Sequence, residues 1–444
     1  MSKNNENKLV PKFRFPEFEN YGEWKEKKFD DLCKFVRGPF GRALKKEIFV
    51  NEGYAVYEQQ HAIYNDFTSF RYFISQEKYN ELKRFSVLPK DIIMSCSGTM
   101  GKFAVIPENP KEGVINQALL KLTVKPDYEI GFIKTSLELP VTQNKLLSQS
   151  AGGAIKNVVE VAQIKEINLL IPERKEQQKI ASCLSSLDEV ITSESQKLEV
   201  LKDHKKGLLQ NLLPQAGETV PKFRFKEFED SGEWVESSVE GNCLVKGRIG
   251  YRGYTTNDLV NQGEGALVLG GKHIQNQTLD LSDPTYLSWE KYYESPEIMV
   301  EIGDIIFSQR GTLGDCAIIE EEIGPATINP SMVLLKNITC NSKFLYYILI
   351  GDRIQNEVKK SKGLGAIPML SQKQIREFSF LIPHNLEEQQ RIASCLSSLD
   401  DLITAQNQKL EALQLHKKGL LQGLFPTLSE TGFTGLKDEK DSKT

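Results

Sequence analysis

Apolar residues recur at alternating intervals of four and three along two stretches of the chain. The first runs Ile180, Leu184, Leu187, Ile191, Leu198, Leu201, Leu208 and Leu212, with Glu194 and Lys205 filling the two gaps. The second runs Ile392, Leu396, Leu399, Ile403, Leu410, Leu413, Leu420 and Leu424, with Gln406 and Lys417 in the gaps. A 3.5-residue period held over five heptads predicts coiled-coil helices, longer than an amphipathic surface helix needs. Two ordinary core helices are the alternative. Against it stand the strict period and the polar residues at the same seam positions in both stretches, since a polar seam residue costs stability but fixes register. Pro172 and Pro383 precede the helices, and Pro214 and Pro426 close them, as proline's exclusion from helix interiors requires. Each helix of about 36 residues would be about 54 Å long.

These stretches belong to a duplication. Residues 177–214 return at 389–426 with 27 of 38 positions identical, and residues 10–26 return at 220–236 with 13 of 17. A unit of half the chain is too long for a solenoid repeat. It predicts two domains related by a pseudo-twofold axis, each followed by its helix. Antiparallel pairing of the helices would throw the two domains to opposite ends of a ruler spanning roughly one and a half turns of duplex DNA.

Between openings and helices the copies diverge but keep landmarks. Residues 91–102 (DIIMSCSGTMGK) align with 304–315 (DIIFSQRGTLGD), Asn116-Gln117 with Asn329-Pro330, and residues 151–155 (AGGAI) with 363–367 (GLGAI). The β-branched and aromatic runs around each Gly-Thr-X-Gly read as strands, which makes the glycine segment a hairpin turn. Residues 167–171 and 378–382 read as closing strands. The fold class is therefore α+β, with two mixed α/β domains joined by a long antiparallel two-helix coiled coil.

Composition narrows the class. At 39% hydrophobic and 26% charged, the chain reads as soluble and globular, and no apolar run approaches the 18–20 or so residues of a membrane span. The N-terminus is polar, without the apolar core of a signal peptide. Seven cysteines without a CxxC pair give neither a disulfide framework nor zinc spacing. Cys183 matches Cys395 and Cys33 matches Cys243, as expected of small buried thiols in a reducing cytoplasm. A net charge of −4 argues against a protein that holds DNA alone, because phosphate neutralisation supplies most non-specific affinity. It permits one that reads DNA beside partners that bring positive charge.

Candidate contacts to nucleic acid fall in the divergent stretches. In the first half they are Arg42, Lys45, Lys46, Gln59, Gln60 and His61, with Gly98, Thr99, Gly101 and Lys102 of the glycine loop. In the second half they are Lys246, Arg248, Tyr251, Arg252, Lys272, His273 and Arg310, with Gly311, Thr312 and Gly314. Gln59, Gln60, Arg248, Arg252 and Lys272 are the choices for base-edge contacts, because such side chains can bond bases bidentately. Each could equally be solvated surface. The glycine loops could hold phosphate through backbone amides, or could be tight turns needing positive φ. They are not P-loops, having two residues between the glycines where four are required.

The duplicated EQQKIASCLSSLDEVI and EQQRIASCLSSLDDLI helices, their LIP lead-ins and the GTMG and GTLG loops together resemble the DNA specificity subunits of type I restriction-modification systems. The resemblance runs from Val10 to Pro426. It implies target-recognition domains at 1–172 and 215–383, each reading half of a split sequence. It implies conserved helices at 173–214 and 384–426 that set the spacer and dock methyltransferase subunits, two to one of these, with restriction and translocation subunits in the full complex. It places S-adenosylmethionine, ATP and Mg2+ in those partners and no catalysis here. The chain's own residues agree, with no nucleotide-binding fingerprint, no Asn-Pro-Pro-aromatic element (Asn329-Pro330-Ser331-Met332 comes nearest) and no metal cluster. Residues 427–444 are expected to be a disordered tail. The competing readings are a coiled-coil scaffold that binds proteins instead of DNA, a self-contained restriction enzyme, and a folded but defunct reader.

Overall fold

The computed structural model describes residues 9–40, 43–148, 161–215, 217–361 and 368–426. The chain packs as two compact units. One comprises the residues up to Ser193 together with those from Leu410 onward, and the other is Glu194–Lys409.

In the first unit a four-stranded antiparallel sheet has the order Cys33–Arg37, Leu119–Val124, Ile92–Ser95, Phe103–Val105. A second sheet has the order Phe49–Val50, Phe73–Ile74, Tyr54–Tyr57, Gly113–Ile115, with the last pairing parallel. The second unit repeats both orders with different residues. Its sheets run Leu244–Gly247, Met332–Lys336, Ile305–Ser308, Cys316–Ile318, and Leu259–Val260, Tyr286–Ser288, Gly265–Leu269, Ala326–Ile328. Within DIIMS and DIIFS, Ile92–Met94 and Ile305–Phe307 are apolar at every position because each lies in a strand covered on both faces. Ile92 and Met94 enter one core with Trp24 and Phe132, while Ile93 enters another with Tyr57 and Ala62. In each unit the glycine segment joins two antiparallel strands, as the sequence predicts.

The predicted closing strands are observed at Asn168–Ile171 and Ser379–Ile382. Each pairs antiparallel with a strand of the repeated opening, Lys25–Lys28 or Val235–Ser238. Directly after them come the long helices, Arg174–Leu212 and Leu386–Leu424. All the predicted seam residues are buried or half-buried. In the first unit Ile180 and Leu184 share a core with Leu424, and Lys417 pairs with Asp188. In the second, Lys205 pairs with Asp400 at 2.5 Å and Leu212 shares a core with Ile392 and Leu396. In both units rising numbers on one helix meet falling numbers on the other, so the pairing is antiparallel. The polar seam positions also meet. Gln406 Nε2 donates to the Glu194 carboxylate at 2.6 Å and to its carbonyl at 2.9 Å. Lys409 adds an ion pair to Glu194 at 2.5 Å, and together they hold its carboxyl below the usual range.

The near-verbatim repetition of the openings has a packing cause. Arg14 forms a bidentate ion pair with Glu176 (2.9 and 2.7 Å), and the Trp24 indole donates to the same carboxylate at 3.3 Å. Arg224, Glu388 and Trp234 repeat the arrangement. The neighbouring glutamine fastens the other side of each helix start. Gln177 donates to the Pro172 carbonyl and accepts from the Glu129 amide, while Gln389 does the same with Pro383 and Asn341. Arg, Trp, Glu and Gln are therefore fixed by one buried contact set in each unit.

Candidate nucleic-acid interface

Three chain segments converge at one end of the sheets in each unit. They are the turn after Tyr57 or Leu269, the glycine loop, and the turn at Asn116 or Asn329. In the first unit the Asn116 amide donates to the Tyr57 carbonyl at 2.9 Å, and Gln59 Nε2 donates to the Thr99 carbonyl at 3.1 Å. In the second the Asn329 amide donates to the Leu269 carbonyl at 2.8 Å, and Gly271 lies opposite the Thr312 hydroxyl. Gln59-Gln60-His61 and Gly271-Lys272-His273 thus occupy the same place in the two units.

The glycine loops are turns first. Gly98, Gly101, Gly311 and Gly314 all have φ between 62° and 88°, a region open to glycine and costly for other residues. The Gly101 amide donates to the Ser95 carbonyl and the Lys102 amide to the Ser95 hydroxyl. The Gly314 amide donates to Ser308, and those of Leu313 and Asp315 donate within the loop. These amides are engaged, so an open amide cradle for phosphate does not form from them. A glutamine braces each loop from behind. Gln143 stands against Gly101 and bonds the Leu137 carbonyl, while Gln355 bonds the carbonyls of Gly314 and Leu349.

Three candidates turn inward and are corrected here. His61 is 1% exposed and His273 is 2% exposed. Each accepts a backbone N–H at Nδ1 (from Glu58 at 2.8 Å and from Gly270 at 2.9 Å) and faces a backbone carbonyl with Nε2 (Ser69 and Asp283). They are matched internal clips of the turn, locked as the Nε2–H tautomer, and do not reach solvent. Arg248, 8% exposed, bonds the Ile328 carbonyl and the Thr327 hydroxyl and stacks on Tyr254. Burial of these groups leaves no free edge for a base.

The remaining candidates differ in availability. Lys45, Lys46, Gln60, Thr99 and Lys102 are exposed in the first unit, with Gln59 half-buried. In the second, Arg310 and Thr312 are exposed and Arg310 Nε lies 3.0 Å from the Met369 sulfur. Lys272 pairs with Asp283 at 2.6 Å and Arg252 with Glu297 at 3.3 Å, so each has an acidic partner to leave before meeting DNA. Lys246 is half-buried on its strand. Tyr251 sits in the turn Gly250–Arg252. Arg42, the segments 151–155 and 363–367, and the tail 427–444 lie outside the described residues. The cysteines are free, with Cys33 and Cys243 buried. Among the described residues there is no three-residue metal-ligand group and no helix long and apolar enough to cross a membrane.

His273 makes a pH test possible. Burial pushes its pKa below the ordinary 6.5, so below that pH the unfolded chain takes up a proton that the native state refuses. Stability is then full above about pH 6.5 and falls as pH drops through it, by at most about 1.4 kcal/mol per pH unit. His273→Asn should flatten this part of the stability–pH curve measured by urea unfolding between pH 7.5 and 5. An unchanged slope would mean that His273 does not stay neutral inside the fold.

Comparison with known proteins decides the class. The family described as Type I restriction modification DNA specificity domain matches residues 21–203 and 245–415. The chain belongs to this family. The type I restriction enzyme MjaVIII specificity subunit of Methanocaldococcus jannaschii is 24% identical over 416 residues, 91% of this chain and 92% of the relative. The MjaX specificity subunit of the same organism, named as a type I restriction enzyme component, is 23% identical over 81% of this chain and 83% of its own length. In fold, the chain is similar to the type I restriction-modification S subunit from M. genitalium (TM-score 0.59, 17% identity, 95% of this chain and 100% of that one). A chain from a study of type I complex assembly is also similar (TM-score 0.52, 14% identity, 90% and 97% covered). As a type I specificity subunit, the chain has its function in recognising DNA for a restriction-modification complex. The helix-start contacts built on Arg14, Trp24, Glu176 and Gln177 escaped sequence reading. The signal for them was their repetition in the second half, where Arg224, Trp234, Glu388 and Gln389 stand.

Proposed function

We propose that this specificity subunit reads a split DNA sequence, one unit to each half-site, and that methyltransferase subunits dock on its paired helices. The observation that carries this reading is the contrast between the two copies. Openings and helix starts repeat nearly verbatim and make the same buried contacts, whereas the segments around the glycine loops differ at most exposed positions. Two readers of different half-sites must differ where they meet bases, while a shared frame need not. Exposed Lys45, Lys46 and Lys102 would position the duplex by phosphate contacts, and Gln60 and Arg310 would reach base edges. The chain performs no chemistry itself. S-adenosylmethionine, ATP and Mg2+ belong to the partner subunits, in the cytoplasm.

The test is base-resolution mapping of N6-methyladenine in DNA from cells expressing the chain with its cognate methyltransferase subunit. Methylation confined to one motif of two short half-sites at fixed spacing is the expected result. A stable complex that methylates nothing would favour a scaffold or a defunct reader.

A further inference from the structure

Resting on that reading, we propose that Arg37 is a DNA-phosphate contact of the first unit. Arg37 is the last residue of the strand Cys33–Arg37, at the end of the sheet where the glycine loop emerges. The next residue, Gly38, packs directly on the backbone of the Asn116 turn, which fixes the strand end against that loop cluster. The side chain is half-buried, and its Nη1 is buried with no hydrogen-bond partner. No carboxylate among the described residues pairs with it.

Its neighbours do not compensate the charge. The guanidinium reaches the Cys96 thiol, which burial pushes up to about 11 and so keeps neutral. It also stands 6.0 Å from the ring of Phe40, which is 73% exposed. An unpaired buried cationic nitrogen is costly; because the side chain as a whole is only half-buried, an anion arriving at this surface would draw the guanidinium outward and relieve it. The geometry favours phosphate over a base edge. One nitrogen suffices for a phosphate oxygen, whereas arginine reads guanine through two parallel bonds, and Nη1 is the nitrogen that stands without a partner.

The matching strand position of the second unit is Gly247. Strand register places Gly247 opposite Val333 where Arg37 stands opposite Leu120, and the space a side chain would take at Gly247 is filled by Gln372. The contact therefore serves one half-site only.

The test compares wild type, Arg37→Met and Arg37→Lys, each in complex with the methyltransferase subunit. Binding is measured across a salt series to a duplex carrying the mapped motif and to a shuffled duplex. Arg37→Met should weaken binding to both about tenfold, the size of one charge-assisted hydrogen bond. It should also reduce the slope of log affinity against log salt by about 0.9. The methylated motif should stay the same, and Arg37→Lys should restore the slope. Because Nη1 has no internal partner, the thermal midpoint of Arg37→Met should hold or rise. A lowered midpoint with unaltered DNA binding would make Arg37 structural and overturn the proposal. So would an unchanged slope, or a motif altered at one base. If the wild-type complex binds neither duplex, the functional reading falls with it. If wild type binds and Arg37→Met binds equally well, only the assignment of Arg37 falls.

Discussion

Glu176→Ala is expected to destabilise the first unit by about 3–5 kcal/mol, the range for removing one partner from a buried ion pair. Glu176 is 1% exposed and holds both Arg14 and the Trp24 indole. Its removal strands a guanidinium and an N–H away from water. The loss is greater than for a surface ion pair, which contributes about 0–1 kcal/mol. Urea unfolding followed by tryptophan fluorescence would measure it. Arg14→Met combined with Glu176→Met should cost much less than Glu176→Ala, because the charges leave together. Glu388→Ala should act equally on the second unit through Arg224 and Trp234. A loss below about 1 kcal/mol, the surface-pair range, would show that water reaches this carboxylate.

The second large effect concerns the glycine loops. Gly314→Val should be markedly worse than Gly311→Val, although both residues have positive φ (88° and 80°). The left-handed backbone alone costs about 1–2 kcal/mol for a residue with a Cβ. At Gly311 nothing lies within 4 Å of the added carbon, whereas at Gly314 it would sit 2.9 Å from the Val358 side chain and 3.0 Å from Gln355. Overpacking there adds about 1–3 kcal/mol and displaces the glutamine that braces the loop. Unfolding midpoints of the two variants give the difference. In the mapped methylome, Gly314→Val should lower methylation through its effect on the second unit. Equal midpoints would mean that the loop end is not packed as described.

The helices, the hairpins at the glycine segments and the closing strands were legible in the sequence because each follows a local period or a local turn rule. The helix-start contacts were not. Arg14 and Glu176 lie 162 residues apart, and nothing in either neighbourhood names its partner. The histidines misled for a different reason. Gln59-Gln60-His61 looks polar and exposed as a string, but His61 ends up facing inward, with its neighbour Gln60 facing out.

Arginine placement was equally hidden. The first unit has Arg37-Gly38 where the second has Gly247-Arg248, and shifting a side chain by one position sends it to the opposite face of a sheet. Arg37 therefore lies beside Cys96, whereas Arg248 crosses to Thr327 and Ile328. Sequence reading chose the second arginine as the DNA contact, while the unpartnered nitrogen belongs to the first.

The meeting of Glu194 with Gln406 bears on the history of the chain. The two positions are 212 apart, the offset of the helix repeat, so each is the other's copy. A freshly duplicated ancestor would have carried the same residue at both. Two glutamates would have confronted each other in the seam, or two glutamines would have met without the ion pair that Lys409 now makes. The difference at this one site makes the facing pair complementary, with Gln406 as donor and Glu194 as acceptor. At this site the two helices are not interchangeable parts: each is the specific counterpart of the other.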